Sequence, residues 1–142
     1  MGGCIAPTHN TDPLASKVDT LLGQATQSGT EAKAFAELEA LGTDAVPYLV
    51  GHLSDMRQLP KSEIELNNNA DGAFEGIRHY SPSVVHDALA AILNQLTGQN
   101  FVVVYNGASL ADRQSNTALW QQWCVRNYPS KSPTCLGQAQ AR

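Results

Sequence analysis

Apolar residues recur along this chain at helical spacing. Leu14, Val18, Leu21, Leu22 and Ala25 fall at i, i+4, i+7, i+8 and i+11, behind Asp12, a good N-cap, and Pro13, which suits a first helical position. They predict an amphipathic helix to about residue 27. Phe35, Leu38 and Leu41 form the next stripe, with Thr30 as its candidate cap and Gly42 as its terminator. Thr43 then caps a helix running to about residue 56, and Pro47 stands in its first turn, where a missing N–H removes no intrahelical bond. Over residues 57–71 the pattern dissolves, with Ile64, Glu65 and Leu66 briefly extended and Asn67, Asn68 and Asn69 in a turn. A short helix from about residue 70 through Tyr80 follows. Ser81 and Pro82 open the next, whose Val84, Val85, Ala88, Leu89, Ile92, Leu93 and Leu96 make the broadest apolar stripe in the chain, that of a central buried helix closed by Thr97 and Gly98. Residues 101–105 are β-branched and aromatic and read as a buried extended segment or edge strand before the turn at Asn106-Gly107. Ser109 caps a last helix bearing Leu110, Leu119, Trp120, Trp123 and Cys124, stopped at Asn127, Tyr128 and Pro129, and no pattern continues from Leu136.

Part of this pattern is written twice. Residues 34–53, AFAELEALGTDAVPYLVGHL, shifted by 39 positions fall without a gap on residues 73–92, AFEGIRHYSPSVVHDALAAI. Phe35 falls on Phe74, Leu38 on Ile77, Val46 on Val85, Val50 on Leu89 and Leu53 on Ile92, and the break at Gly42-Thr43 meets Ser81-Pro82. A period near 40 residues built as helix, tight turn, helix is the sequence form of an α-solenoid unit. Two similar hairpins in an irregular helical domain would give the same pattern, and either arrangement yields an all-α core.

The composition is that of one globular domain of 142 residues, 42% hydrophobic and 15% charged. The net charge of −4 and a pI near 5.4, with nine Lys and Arg scattered along the chain, argue against a nucleic-acid surface. No run of apolar residues approaches a membrane span, so contact with a membrane is expected only through a lipid anchor. Cys124 and Cys135 enclose a short loop that a disulfide would close, an addition of about 3 kcal/mol in chain-entropy terms. Cys4, behind Gly2-Gly3 and ahead of a polar tether, fits the lipidated first residue of a mature lipoprotein; an incidental cysteine fits equally. Myristoylation of Gly2 with palmitoylation of Cys4 fits less well, because Ala6 stands where Ser or Thr is wanted. The expected organisation is a tether over residues 1–11, a single domain over 12–128, and a tail over 129–142 joined to the last helix by the disulfide. With both a disulfide and a lipid, the location would be periplasmic.

The turn-flanked LGTDAVPYLVGHL resembles a HEAT-like helix pair. The continuation DALAAILNQLTGQNF, followed by YNGAS and the paired tryptophans, is similar to small bacterial HEAT-like proteins, many of them exported or lipid-anchored in expectation. The resemblance covers roughly residues 30–127, with Leu96-Thr97-Gly98 and Trp120-Gln121-Gln122-Trp123 its most particular elements. It implies an all-α fold of HEAT-like helical-hairpin repeats with about five or six helices and one short extended segment near 101–105. Some proteins of this kind resemble immunity proteins, which neutralise toxins delivered between bacteria. The family carries no catalytic motif, so no active-site residue is transferred. Residues 57–71 and 101–105 depart from plain HEAT units and argue against a regular superhelix.

Candidate chemistry is sparse. Glu75 and His79 stand one helical turn apart in the predicted short helix, with His86 and Asp87 just beyond, but neither HExxH nor a Cys-His ligand spacing accompanies them. A solvated polar face accounts for them better than a metal-dependent enzyme. Cys124 reads as core or disulfide, and Trp120 with Trp123 as packing in preference to a ligand platform. No catalytic residue, metal or cofactor is expected. What remains is a binding surface: Glu63, Glu65, Asn67, Asn68, Asn69 and Asp71, with Arg78, His79 and Tyr80 where the second unit turns. An acidic, amide-rich loop suits a basic groove, such as that of an enzyme acting on anionic substrates; a merely solvated loop fits it equally. The expected function is non-enzymatic binding and neutralisation of a secreted toxin encoded nearby, with a periplasmic lipoprotein scaffold in envelope assembly as the alternative.

Overall fold

Helix α1, Pro13–Ala25, begins where Asp12 accepts hydrogen bonds from the N–H groups of Leu14 at 3.0 Å and Ala15 at 3.3 Å, and it buries Val18, Leu21, Leu22 and Ala25. The computed structural model describes residues 12–60, 64–67, 77–80, 82–101, 104 and 108–137. Helix α2, Glu31–Ala40, packs against α1 and buries Ala34, Phe35 and Leu38. Thr30 precedes it without capping it, its backbone lying outside the extended conformation a cap takes, while its hydroxyl donates to the Gln24 carbonyl at 2.7 Å and closes the α1–α2 turn. The expected helix from Thr43 to about residue 56 divides into a 3-10 turn over Gly42–Ala45 and a short α3, Val46–Gly51, which carries Pro47 in its first turn and gives way to turns after His52. Short as it is, α3 touches α1, α4, α5 and α6.

The expected helix ending at Tyr80 is absent from Ile77–Tyr80. Those residues form strand β2, antiparallel to β1, Ile64–Asn67. Below the pair, Leu59 N–H donates to the Ser83 carbonyl at 3.2 Å, Val85 N–H to Arg57 at 2.9 Å and His86 N–H to Asp55 at 3.0 Å, with a bridge between Gln58 and Val84. Residues 57–59 thus pair with 83–85, and β1 pairs with β2, in the same antiparallel sense, and these described pieces are termed the arm. This pairing also displaces the predicted helix start. Residues 82–84 give their backbone to residues 57–59, so α4 opens only at Val85, with Val84 in extended conformation as an uncapped N-cap. The 39-residue correspondence therefore holds for the second helix of each unit and breaks in the first.

Helix α4, Val85–Thr97, ends at Gly98, whose φ of 76° places it in the left-handed conformation that closes helices. Residues 85–93 are all buried, which is the state of a helix apolar on nearly every side. Leu89, Ile92 and Leu93 each contribute about 2 kcal/mol by leaving water. Helix α5, Leu110–Asn127, is capped by Ser109, whose hydroxyl oxygen accepts from Asp112 N–H at 3.1 Å. It turns Asn116, Trp120 and Cys124 inward. Trp120 meets Phe101 and Trp123 edge-on, at ring-centre distances of 4.9 and 5.5 Å. Of the expected extended segment, Phe101 and Val104 lie in irregular backbone with Val104 buried, and the remainder lies outside the described residues.

After a 3-10 turn over Pro129–Lys131, the short α6, Ser132–Cys135, lies along α3 and is tied to α5 by the Cys124–Cys135 disulfide. The contact is close: Gly137, at φ 79°, follows α6, and a Cβ there would lie 2.9 Å from the Gly51 carbonyl oxygen. Lys131 Nζ donates to the Tyr48 hydroxyl at 3.1 Å and sits over its ring, while that hydroxyl donates to Asp12. One side chain of α3 so holds both the start of α1 and the segment after α5. The hydroxyl holds the Asp12 carboxyl below the usual carboxylate range, and burial raises the Tyr48 phenol. The fold class is all-α, six helices among the described residues around one core, with the two-stranded arm beside α2 and α4.

Candidate functional site

The arm carries most of the residues expected to bind a partner. The register sets Ile64 opposite Tyr80, Glu65 opposite His79, Leu66 opposite Arg78 and Asn67 opposite Ile77. Residues from both sides of the predicted surface, far apart in sequence, are thereby neighbours across one ladder. Strand β1 is the inner of the two, running beside α2 and α4. Glu63, Asn68, Asn69, Asp71 and Glu75 lie outside the described residues, as does Cys4. A hairpin signal was present in the sequence: IEL and IRHY are short runs with β-branched and aromatic residues on either side of an Asn- and Gly-containing stretch.

His79 is on β2, so the helix expected to carry it together with Glu75 does not reach it, and Glu75 lies outside the described residues. His86 does not complete such a site either. Its ring is fully buried in α4, and Nδ1 lies 2.7 Å from the Leu53 carbonyl oxygen. A carbonyl can only accept, so Nδ1 carries the proton of the neutral ring. Thr117 Oγ1, whose own proton goes to the Arg113 carbonyl at 3.0 Å, is 3.4 Å from the same nitrogen. Burial pushes the His86 pKa down against the opposing effects of the Leu53 carbonyl, Asp87 and Asn116, while Arg113 pushes it down further.

Asp87 is equally buried and its role is structural. Arg113 grips it from α5 with Nε on Oδ1 and Nη2 on Oδ2, both at 2.8 Å, and Ser83 N–H adds a third bond at 3.1 Å. Bidentate geometry of this kind satisfies a buried carboxylate and raises the Arg113 pKa. Sequence reasoning noticed His86 and Asp87 but missed Arg113, Asn116 and Thr117, which come together with them only when α5 docks. The sole local sign was the Arg-x-x-Asn-Thr spacing, which places all three on adjoining positions of one helix surface.

His52, at the end of α3, has Nε2 2.9 Å from Asp19 Oδ1, and burial lowers its pKa despite Asp19 and Asp55. Asp55 is itself clasped by Arg57. Among the described residues, no three His, Cys, Asp or Glu side chains gather as a metal site. No helix among them is long and apolar enough to cross a membrane.

Helix α5 also borders two shallow grooves. One of about 290 Å³ lies between Ser54 and Met56 and the Leu110, Gln114 and Thr117 positions. The other, of about 600 Å³, runs past Gln122, Val125 and Arg126 to Leu136, and the two share Ala118 and Gln121. Leu110 and Leu136, at opposite ends, are 58% and 42% exposed and give this surface an apolar character. Comparison of the chain with known protein families, curated proteins and solved structures finds no match.

Proposed function

We propose that this chain is a non-enzymatic protein-binding domain, and specifically an immunity protein that binds and neutralises a secreted antibacterial toxin through its antiparallel arm. The observation that supports the reading most directly is the register of β1 on β2, which puts Glu65 against His79 and Leu66 against Arg78. Residues expected to bind from two parts of the sequence thereby lie opposite one another along one backbone ladder, beside the helical core. The net charge of −4 and the acidic residues Glu63, Glu65 and Asp71 suit a basic partner groove, such as that of an enzyme acting on anionic substrates. The Cys124–Cys135 disulfide supports an oxidising compartment, consistent with a periplasmic protein held by a lipid on Cys4.

The test is calorimetry between this protein and the product of the adjacent gene, followed by the same titration with Glu63, Glu65 and Asp71 changed together to Lys. The expected outcome is 1:1 binding that suppresses the neighbour's toxicity and weakens at least tenfold in the triple variant. Tight binding unaffected by the triple change would move the interface off the arm. No binding would favour an envelope-assembly scaffold, to be pursued by crosslinking in the native envelope.

A further inference from the structure

The outward side of α5 carries a stripe that reads alike in both directions. Leu110, Gln114, Thr117, Ala118, Gln121 and Val125 follow at i, i+4, i+7, i+8, i+11 and i+15, so they share one helix face, and all of them line the two grooves. About a midpoint between Thr117 and Ala118, Leu110 mirrors Val125 and Gln114 mirrors Gln121. A two-fold axis requires this kind of order, because in a symmetric pair whatever residue i meets at j, residue j meets at i. The small side chains fall at the centre, where two packed helices approach most closely, and the apolar ones fall at the ends.

Charge favours the same occupant. The chain carries a net charge of −4, yet among the described residues no carboxylate lines either groove, and Arg126 is the one cation that borders them. Asp112 and Arg126 are both exposed on α5, about four turns apart and therefore on the same flank of the stripe. In an antiparallel pair centred between Thr117 and Ala118, Arg126 comes within about one turn of Asp112 of the second copy, and the reverse holds by symmetry. A parallel pair would instead set like charges together.

We propose that this face of α5 is a self-association surface: two copies of the chain pair antiparallel along α5, with Leu110 of each against Val125 and Leu136 of the other, and Asp112 against Arg126. The grip of Arg113 on Asp87 and the Cys124–Cys135 disulfide hold α5 on the core, so the face is presented ready for pairing. One helix with its groove walls makes a small interface, and the dimer is weak, with Kd on the order of 10 μM. Such pairing needs neither a toxin partner nor the arm.

Sedimentation velocity on the full chain from about 1 to 300 μM tests it, with Cys4→Ser removing the cysteine outside the disulfide. The expected result is a reversible monomer–dimer equilibrium. A118E sets two carboxylates at the two-fold axis and should weaken the dimer at least tenfold. R126D alone should weaken it by a smaller factor, and D112R/R126D, which exchanges the charges, should recover it. Under mild oxidation, a mixture of Q114C and Q121C should form an intermolecular disulfide, whereas Q114C by itself should not, since antiparallel pairing sets its two copies far apart. Each substituted position is at least partly exposed, so the variants keep the fold. A monomer over the whole range would overturn the proposal and leave the grooves to a partner of another sequence. A dimer indifferent to A118E would also overturn it, as would Q114C crosslinking to itself more readily than to Q121C.

Discussion

Leu38 and Ile77 occupy matching positions in the two copies of one apolar pattern, yet Leu38 lies in the middle of α2 and Ile77 begins β2. Eight residues later the copies agree again: Val46, Leu49, Val50 and Leu53 in the first, and Val85, Ala88, Leu89 and Ile92 in the second, are all fully buried. The divergence is confined to the half where the residues between the apolar positions differ. In α2 the sequence EAKAFAELEA is nearly all strong helix formers. Its counterpart AFEGIRHY carries Gly76, Ile77, His79 and Tyr80, and a single Gly in a helix interior costs about 1 kcal/mol relative to Ala. The chain at Ile64–Asn67 then offers an antiparallel partner, so the weaker helix loses to a ladder. Apolar spacing specified burial, and the intervening residues together with an available partner selected the backbone.

The equivalent helices are anchored differently, and this gives the largest expected effect. Tyr48 in the first copy aligns with Asp87 in the second; one shares a hydroxyl with Asp12 and Lys131, the other holds a buried ion pair with Arg113. Arg113→Leu leaves Asp87 buried without its cation and should cost about 3–5 kcal/mol in urea denaturation. A loss below about 1 kcal/mol would show that the α4–α5 junction rests on apolar packing alone.

Proline probes the diverging halves directly. Ala36→Pro, inside α2, should cost about 3 kcal/mol or more, since it removes an intrahelical bond and strains the preceding turn. Arg78→Pro should cost about 1 kcal/mol or less, because a two-stranded arm adds little to the cooperative core. Equal losses would mean that both copies belong to the core to the same degree. Tyr48→Phe is expected to cost about 1.5 kcal/mol, a charge-assisted hydrogen bond lost with the ring's packing retained.

The gentlest effect is on pH dependence, to which the first copy contributes the half-buried His52 and the second the buried His86. His52 and His86 both have folded-state pKa values lowered chiefly by burial. Between those values and the ordinary histidine value near 6.5, the unfolded chain binds more protons than the folded one, so stability rises with pH through that window. Above it the contribution is complete, and below it the contribution is lost. The urea midpoint should therefore fall from pH 7.5 to 5.5, and comparison of H52N with H86N apportions the decline between the copies.

Much of the helical framework was legible in the chain because it depends on neighbours in sequence. Asp12 and Ser109 cap their helices through bonds spanning two or three residues, and Gly98 ends α4 by its own backbone freedom. The Cys124–Cys135 bridge follows from nearness along the chain. Thr30 was misleading because the turn holds its backbone out of the extended conformation a cap needs, with its hydroxyl directed back to Gln24. The short α3 was overextended because nothing local in His52, Leu53 or Ser54 announces that the chain will peel away into the arm. His86 and Asp87 attracted notice as reactive residues, whereas their meaning depends on Arg113, Asn116 and Thr117 from another helix.

By itself the sequence determined which residues leave water and where most helices begin or end, since hydrophobic spacing and capping operate over one or two turns. Only the tertiary structure decided that Ile64–Asn67 pairs with Ile77–Tyr80 and residues 57–59 with 83–85, and that Asp87 lies in a buried ion pair between helices. A strand must find its hydrogen-bond partners elsewhere in the chain, and a buried charge is tolerated only where a distant residue delivers the opposite one.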